Sequence, residues 1–356
     1  MKPTTQRSAD RARLSFYVES LLAAAQNTAD AEQQAEGGHC KVQVYSPDDL
    51  ERFRSFWAMS HDDGSINAKA VMKALEKHSA LWPCSPVPAD TAFVELAERF
   101  PNFKGVIEDV RRAAALARLA PGAPLHMAPV LLDGPPGIGK SKFASELALT
   151  FAVPMLTFSM AQATASFGLG GLNTQFSGGG PGYLVRALAD LGAPDPIVVV
   201  DEIDKAAVHA SYDPTKPLYE LLEITTAARF VDEGLRMPLN LSAIKWVSTC
   251  NDAMQIAAPL RSRFLHYDVP PPTPEQLRGI AKSVYRDIVG AGSWVRHFDS
   301  DLPEPVCDVL ADGIPRDLAR AIRTALGAAA LAGRSTVHIG DLPVNRRSSR
   351  PRIGFA

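Results

Sequence analysis

The feature that most constrains the fold is the sequence GPPGIGKS at residues 134–141. It fits the pattern G-x-x-x-x-G-K-[ST] in full, follows the apolar run PVLLDG, and leads into the helix-like KSKFASELALTFA. In such a strand–loop–helix, backbone N–H groups and the positive end of the helix surround phosphate groups. Lys140 is expected to reach the β- and γ-phosphates, and the Ser141 hydroxyl to ligate Mg²⁺. The predicted phosphate-binding residues are Gly134, Pro135, Pro136, Gly137, Ile138, Gly139, Lys140 and Ser141.

A pair of acids follows the apolar run IVVV, sixty residues beyond the phosphate loop. Asp201 is predicted to hold Mg²⁺ through water, and Glu202 to orient and deprotonate an attacking water. Many strands end in acids, so the pair is informative only because a complete phosphate loop precedes it. Together the two segments predict an ATPase that uses ATP and Mg²⁺.

The pattern of apolar runs predicts the fold class. Short runs such as MLTFSM, IKWVSTCN and FLHYDV alternate with helical segments, which is typical of an α/β fold with a parallel sheet and helices on both faces. From residue 272 the chain reads as helices only, which predicts a small all-α lid domain. We therefore expect a mostly helical region at 1–95, a large P-loop NTPase domain at 96–271, a helical domain at 272–340 and a basic tail at 341–356.

Composition limits the partners and the compartment. The net charge of −2 and a pI near 6.5 provide no global basic field for nucleic acid, although the tail contains RRSSRPR. Four cysteines without a C-x-x-C spacing indicate neither a zinc site nor a disulfide framework, so a reducing compartment fits best. The N-terminal apolar run is short and interrupted by Glu19, which predicts no signal peptide and no membrane span. We expect a cytoplasmic protein.

Three further segments, in this order, resemble motifs of the AAA+ ATPases. WVSTCND at 246–252 matches the first sensor with Asn251, PLRSRF at 259–264 matches the arginine-finger segment, and GIPRDLARAI at 313–322 matches the second sensor with Arg316. Arg263 is the first candidate for the finger and Arg261 the second. The resemblance implies that Glu202, Asn251, Arg263 and Arg316 act in hydrolysis. A finger that reaches a neighbouring subunit also implies a homo-oligomeric ring, hexameric by family.

Within this family, residues 100–340 are most similar to the ATPase module of Lon proteases. The likeness rests on the glycine-rich segment with its PGYLVRAL continuation, on LYELLEITTAARFVDEGLRMPLNLSAIKWVSTCND, and on the two arginine motifs. In Lon a proteolytic domain with a serine–lysine dyad would follow the helical domain. Here no segment fits such a domain, so we expect a motor that is not itself a protease.

The glycine-rich segment GLGGLNTQFSGGGPG at 168–182 holds one aromatic residue, Phe176. We interpret it as a mobile pore loop in which glycines provide a hinge and Phe176 grips extended polypeptide; an ordinary core phenylalanine is the alternative. A second loop from Phe230 to Gly234 could line the same pore. These features favour a motor that remodels, unfolds or threads protein. A nucleotide-gated regulator that assembles with a separate effector protein, and less readily a nucleic-acid-dependent ATPase, stay open.

Overall fold

The computed structural model describes residues 40–59, 63–120, 122–162, 167–176, 178–206, 213–291, 294 and 296–343. Residues 1–39 of the predicted helical region and nearly all of the basic tail lie outside these ranges. The chain divides into two compact units. The first comprises Met1–Leu96, Gly105–Gly134 and Lys140–Asp268, and the second Ala97–Lys104, Pro135–Gly139 and Val269–Ala356.

The described residues form the following elements. The strands are β1 Lys41–Gln43, β2 Leu81–Pro83, β3 Val130–Asp133, β4 Met155–Ser159, β5 Ile197–Asp201, β6 Phe230–Val231, β7 Pro238–Leu239, β8 Lys245–Cys250 and β9 Leu265–Asp268. The helices are α1 Pro47–Ala58, α2 Asp63–Leu75, α3 Asp90–Arg99, α4 Lys104–Leu119, α5 Lys140–Thr150, α6 Phe167–Gly170, α7 Tyr183–Leu191, α8 Leu218–Leu221, α9 Ile224–Ala227, α10 Ala258–Arg261, α11 Pro274–Ala291, α12 Glu304–Leu310 and α13 Pro315–Leu331. Short 3₁₀ turns lie at Pro101–Phe103, Met160–Gln162, Ile203–Lys205, Ala253–Gln255 and Ile339–Asp341.

A five-stranded sheet in the order β4-β5-β8-β3-β9 forms the centre of the first unit, and every neighbouring pair is parallel. The five apolar runs of the sequence are these five strands, so the α/β fold with a parallel P-loop sheet is confirmed. β8 is buried along its whole length, and β5 is buried up to its last residue. Strands covered on both faces read as continuous apolar runs, which is why the sequence predicted them.

The segment before the sheet shares its hydrophobic core. Helices α1 and α2 pack in the same cluster of buried side chains as strands β5 and β8. The fully buried Trp57 donates from its indole N–H to the Leu235 carbonyl, 3.2 Å away. The structure groups the described residues up to Leu96 with the sheet.

The second unit is helical around its own core. Helices α11, α12 and α13 enclose buried residues that include Ala281, Tyr285, Cys307 and Ile322. The unit begins at Val269, three residues before the predicted start of the lid, and it also contains the centre of the phosphate loop. Among the described residues, no helix combines the length and the apolar character needed to cross a lipid bilayer.

Candidate functional site

The phosphate loop joins β3 to α5, as the sequence pattern predicts. Gly137 and Gly139 adopt φ angles of 87° and 103°, which side-chain-bearing residues rarely adopt. A Cβ atom at Gly139 would meet no heavy atom within 4 Å, so the loop leaves open space beside this backbone.

Lys140 begins α5, and its ammonium group reaches back to the residue at the start of the loop. Its Nζ atom donates to the Gly134 carbonyl at 2.5 Å and to Asn251 Oδ1 at 3.2 Å. Only 8% of the residue is exposed, and this burial lowers the pKa of the amine. The loop therefore holds a partly desolvated cation, and an anion placed here would compensate the cost of burying that charge.

Asp201, at the carboxyl end of β5, lies beside the start of the same helix. The Ser141 hydroxyl donates to Asp201 Oδ1 at 3.3 Å. A hydroxyl and a carboxylate oxygen are both hard ligands of the kind that Mg²⁺ prefers, so this pair fits the predicted metal site. The Thr249 hydroxyl donates to the same carboxylate oxygen at 2.5 Å.

Glu202 has a left-handed backbone conformation, with φ 55° and ψ 49°. Such a conformation is costly for a residue other than glycine and persists where surrounding contacts enforce it. Here the Glu202 N–H donates to the Thr249 hydroxyl oxygen at 3.0 Å. Thr249 thus holds both members of the acid pair, and sequence reasoning missed it. The available signal was its position on a strand adjacent to β5, two residues before Asn251.

Asn251 follows β8 and is held from two sides. Its side-chain oxygen accepts from Lys140, and its N–H donates to Asp204 Oδ2 at 3.3 Å. Asp204 lies on the 3₁₀ turn after Glu202 and has a fully buried side chain that pairs with Lys205 at 3.3 Å. Asp204 is the second residue that sequence reasoning missed.

The two candidate finger residues flank the end of α10. Arg261 donates to the Ala253 carbonyl at 3.0 Å, which ties it to its own chain. Arg263 donates to the carbonyls of Pro259 at 2.7 Å and Tyr219 at 3.3 Å, and lies 3.4 Å from Glu223. Its guanidinium carbon lies 5.1 Å from the centroid of the Tyr219 ring.

In the second unit, Arg316 contacts the centre of the phosphate loop. Its backbone N–H donates to the Gly137 carbonyl at 3.2 Å, and a Cβ atom added at Gly137 would lie 3.6 Å from Arg316 Cβ. Arg316 occupies the second position of α13, and its side chain is exposed. The predicted second-sensor residue therefore lies beside the loop residues that belong to its own unit.

The predicted pore residues differ in burial. Phe176 is 62% exposed, so it is not a core residue of this chain. Phe230 is 3% exposed, because its strand β6 pairs with β7 and its ring packs in the core of the first unit. The expectation that Phe230 lines a pore is therefore corrected: its side chain stabilises the fold beneath the loop.

Several glycines around Phe176 allow neighbouring backbone segments to pack closely, and they do not form a flexible hinge. Leu172 and Gly180 exchange two backbone hydrogen bonds, of 2.9 and 2.7 Å, which close the base of the loop. A Cβ atom at Gly182 would lie 2.6 Å from the Leu169 carbonyl oxygen, and one at Gly171 would lie 2.3 Å from Asp232 Oδ1. Only glycine fits at these positions without displacing its neighbours.

Asp232 is the buried centre of this packing. Its carboxylate accepts three backbone N–H bonds of 2.8 to 2.9 Å, from Gly182, Gly234 and Leu235. A Cβ atom at Gly234 would lie 2.0 Å from the Gly180 carbonyl. Burial raises the pKa of Asp232 to about 6, against the lowering effect of the three donors. The Phe176 loop and the segment after β6 are therefore joined through one carboxylate.

Residues 130–269 match the family described as "ATPase family associated with various cellular activities (AAA)". The matched residues contain the complete phosphate loop after β3 and the acid pair at the end of β5, and together with the family match they support ATPase activity.

Lon proteases are among the relatives that this chain resembles. The Lon protease of Fusobacterium nucleatum is 27% identical over 186 residues, which cover 52% of this chain and 24% of that protein. Lon protease 4 of Sorangium cellulosum is 32% identical over 150 residues, 42% of this chain and 19% of the relative. The chain thus spans less than a quarter of the length of these relatives, and its ATPase module resembles theirs.

Among solved structures, the RuvB Holliday junction branch migration motor of Thermotoga maritima is similar, with a TM-score of 0.45 and 17% identity. The match covers 67% of this chain and 66% of that one. At this level of likeness, nothing about activity follows.

Proposed function

We propose that this chain is a Mg²⁺-dependent, ATP-hydrolysing motor that assembles into a homo-oligomeric ring and remodels or threads polypeptide. One observation supports the proposed action on polypeptide, in addition to ATP hydrolysis. An exposed phenylalanine is presented on a tightly packed, uncharged loop in the same compact unit as the acid pair.

Each residue of the site has a role in the proposed hydrolysis. Lys140 would bind the phosphates, while Ser141 and Asp201 would hold Mg²⁺, which neutralises developing negative charge when bound. Glu202 would take a proton from water, and Asn251 would help to orient that water. Arg316 is proposed to contact phosphate as the second sensor.

Arg263 is proposed as the finger that acts on a neighbouring subunit. Its present partners are two carbonyls, one aromatic face and one partly exposed carboxylate, and exposed ion pairs of this kind are weak. The guanidinium could therefore exchange these contacts for a phosphate at modest cost. A six-membered ring follows only from the family resemblance.

Protein is the favoured substrate class because of the chemistry of the loop. Residues 168–182 contain no lysine and no arginine, and the whole chain has a net charge of −2. Nucleic-acid channels need cations along the phosphate backbone. An isolated aromatic side chain instead suits steric and apolar contact with extended polypeptide.

The test measures ATP hydrolysis by Phe176→Ala with and without an unfolded protein such as casein. We expect unfolded protein, and not DNA, to stimulate the wild type. The variant should lose this stimulation while its basal rate stays within about threefold, and Phe176→Tyr should retain the stimulation. Leu116→Ala, which removes another exposed apolar side chain, is the control and should behave as wild type. Stimulation of Phe176→Ala equal to wild type would contradict the gripping role.

A further inference from the structure

A pair of thiols lies at one end of the β1–β2 ribbon, apart from the nucleotide site. Cys40 immediately precedes β1 and Cys84 immediately follows β2. The Cys84 N–H donates to the Cys40 carbonyl at 3.0 Å, so the two residues continue the antiparallel register of the strands. Their Sγ atoms are 2.8 Å apart, and both side chains are half-buried.

We propose that Cys40 and Cys84 form a reversible disulfide when the protein meets a peroxide. An S–S bond is about 2.05 Å long, so the two sulfurs need to move less than about 1 Å to form it. Because Cys40 and Cys84 lie opposite each other in an antiparallel ribbon, their side chains project from the same face of the ribbon. The other cysteines, Cys250 and Cys307, are fully buried in the separate cores of the two units and serve as internal references.

The chemistry balances as a two-electron oxidation. The Cys40 thiolate attacks one peroxide oxygen, the O–O bond breaks, and the leaving hydroxide takes a proton to become water, which leaves Cys40 as a sulfenic acid. The Cys84 sulfur then attacks Cys40 Sγ, the S–O bond breaks, and hydroxide leaves with the Cys84 proton as a second water. Burial raises the pKa of the Cys84 thiol, which assigns the first attack to Cys40.

Cys84 is connected to the central sheet through its neighbour. The Ser85 N–H and hydroxyl donate to the Asp195 carboxylate at 3.2 to 3.3 Å. Asp195 forms a buried ion pair of 2.9 Å with Lys245, the first residue of β8. A disulfide would therefore tie position 40 to the sheet and close a loop that contains α1 and α2. Loop closure constrains the unfolded chain, so the expected change is in stability.

The experiment treats the full chain with hydrogen peroxide and maps its thiols by differential alkylation and mass spectrometry. We expect a Cys40–Cys84 linked peptide that has lost two hydrogen atoms and that a dithiol reductant releases. The midpoint of thermal unfolding should rise by roughly 5–10 °C on oxidation. Cys40→Ser and Cys84→Ser should show no rise, whereas Cys307→Ser should show the full rise.

Three outcomes would overturn the proposal. One is oxidation of either thiol to sulfinic acid without the linked peptide. Another is a disulfide that joins two separate chains, detected as a reductant-sensitive dimer. The last is a rise in the unfolding midpoint that survives in Cys84→Ser.

Discussion

At the scale of single residues, Thr249 determines the geometry of the acid pair. Its hydroxyl donates to Asp201 and accepts from the backbone of Glu202, whose left-handed conformation needs such support. Thr249→Val keeps the shape of the side chain and removes both bonds. We expect kcat for ATP to fall about 10–100-fold, as for other partners of metal-binding carboxylates. Nucleotide binding, measured by fluorescence titration, should change little because Lys140 is untouched.

A matched control lies one residue away on the same strand. Ser248 is fully buried, and its hydroxyl has no hydrogen-bond partner in the described part of the chain. Ser248→Ala should therefore leave kcat unchanged. Glu202→Gln is the reference for complete loss of hydrolysis with binding retained. If Thr249→Val hydrolyses ATP like Ser248→Ala, the support assigned to Thr249 is wrong.

At the scale of elements, Asp232 joins the Phe176 loop to the segment after β6. Its pKa is raised from 3.8 to about 6 by burial, so the folded chain binds this proton more tightly than the unfolded chain. The Asp232 contribution to stability is therefore greatest below about pH 4 and falls as pH rises to about 6, by about 3 kcal/mol in total. Asp232→Asn should lack this fall when urea unfolding is compared at pH 4 and pH 7.

A control for this pH dependence is a carboxylate that is neither buried nor bonded to three backbone N–H groups. Glu220 is exposed, and Glu220→Gln should keep the wild-type difference between the two pH values. Asp232→Asn places an amide N–H₂ where the Gly182 or Gly234 N–H now donates, so it should also lose the stimulation of ATPase by unfolded protein. A pH dependence identical to wild type would show that Asp232 does not titrate in this range.

At the scale of the whole molecule, the arginine finger predicts behaviour that only an assembly can show. Arg263→Ala should abolish hydrolysis and leave assembly intact, and Glu202→Gln should do the same. In an equal mixture of the two variants, an Arg263→Ala subunit supplies an intact Glu202, and a neighbouring Glu202→Gln subunit supplies an intact Arg263. About a quarter of the interfaces then regain both groups, and activity should recover to roughly that fraction. Steady-state ATPase of the mixture measures this directly.

Arg261→Ala provides the control for the mixture. Arg261 is bound to the Ala253 carbonyl of its own chain, so its loss should lower the unfolding midpoint. Any loss of ATP hydrolysis in Arg261→Ala should follow from this lowered stability, so mixing with Glu202→Gln should not restore it. Failure of the Arg263→Ala mixture to recover would exclude a finger that acts between subunits.

The sequence predicted the sheet and the phosphate loop well because both depend on short segments. Each strand of the sheet lies in a short segment rich in apolar residues, and the glycines of GPPGIGKS themselves permit the backbone conformation of the loop. Phe230 shows where local reasoning failed. The two-residue strand that buries it exists only because Phe230 and Val231 pair with Leu239 and Pro238, and two residues have no periodicity to recognise.

By itself, the sequence determined the α/β class, the AAA+ motifs, the phosphate loop and the acid pair, since these depend on residue type at short spacing. The tertiary structure alone decided that Thr249 and Asp204 support the site, that Cys40 faces Cys84, and that the glycines of 168–182 pack around Asp232. Those contacts join residues about 40 to 60 positions apart in the chain. Only the folded sheet and its loops bring them within hydrogen-bond distance.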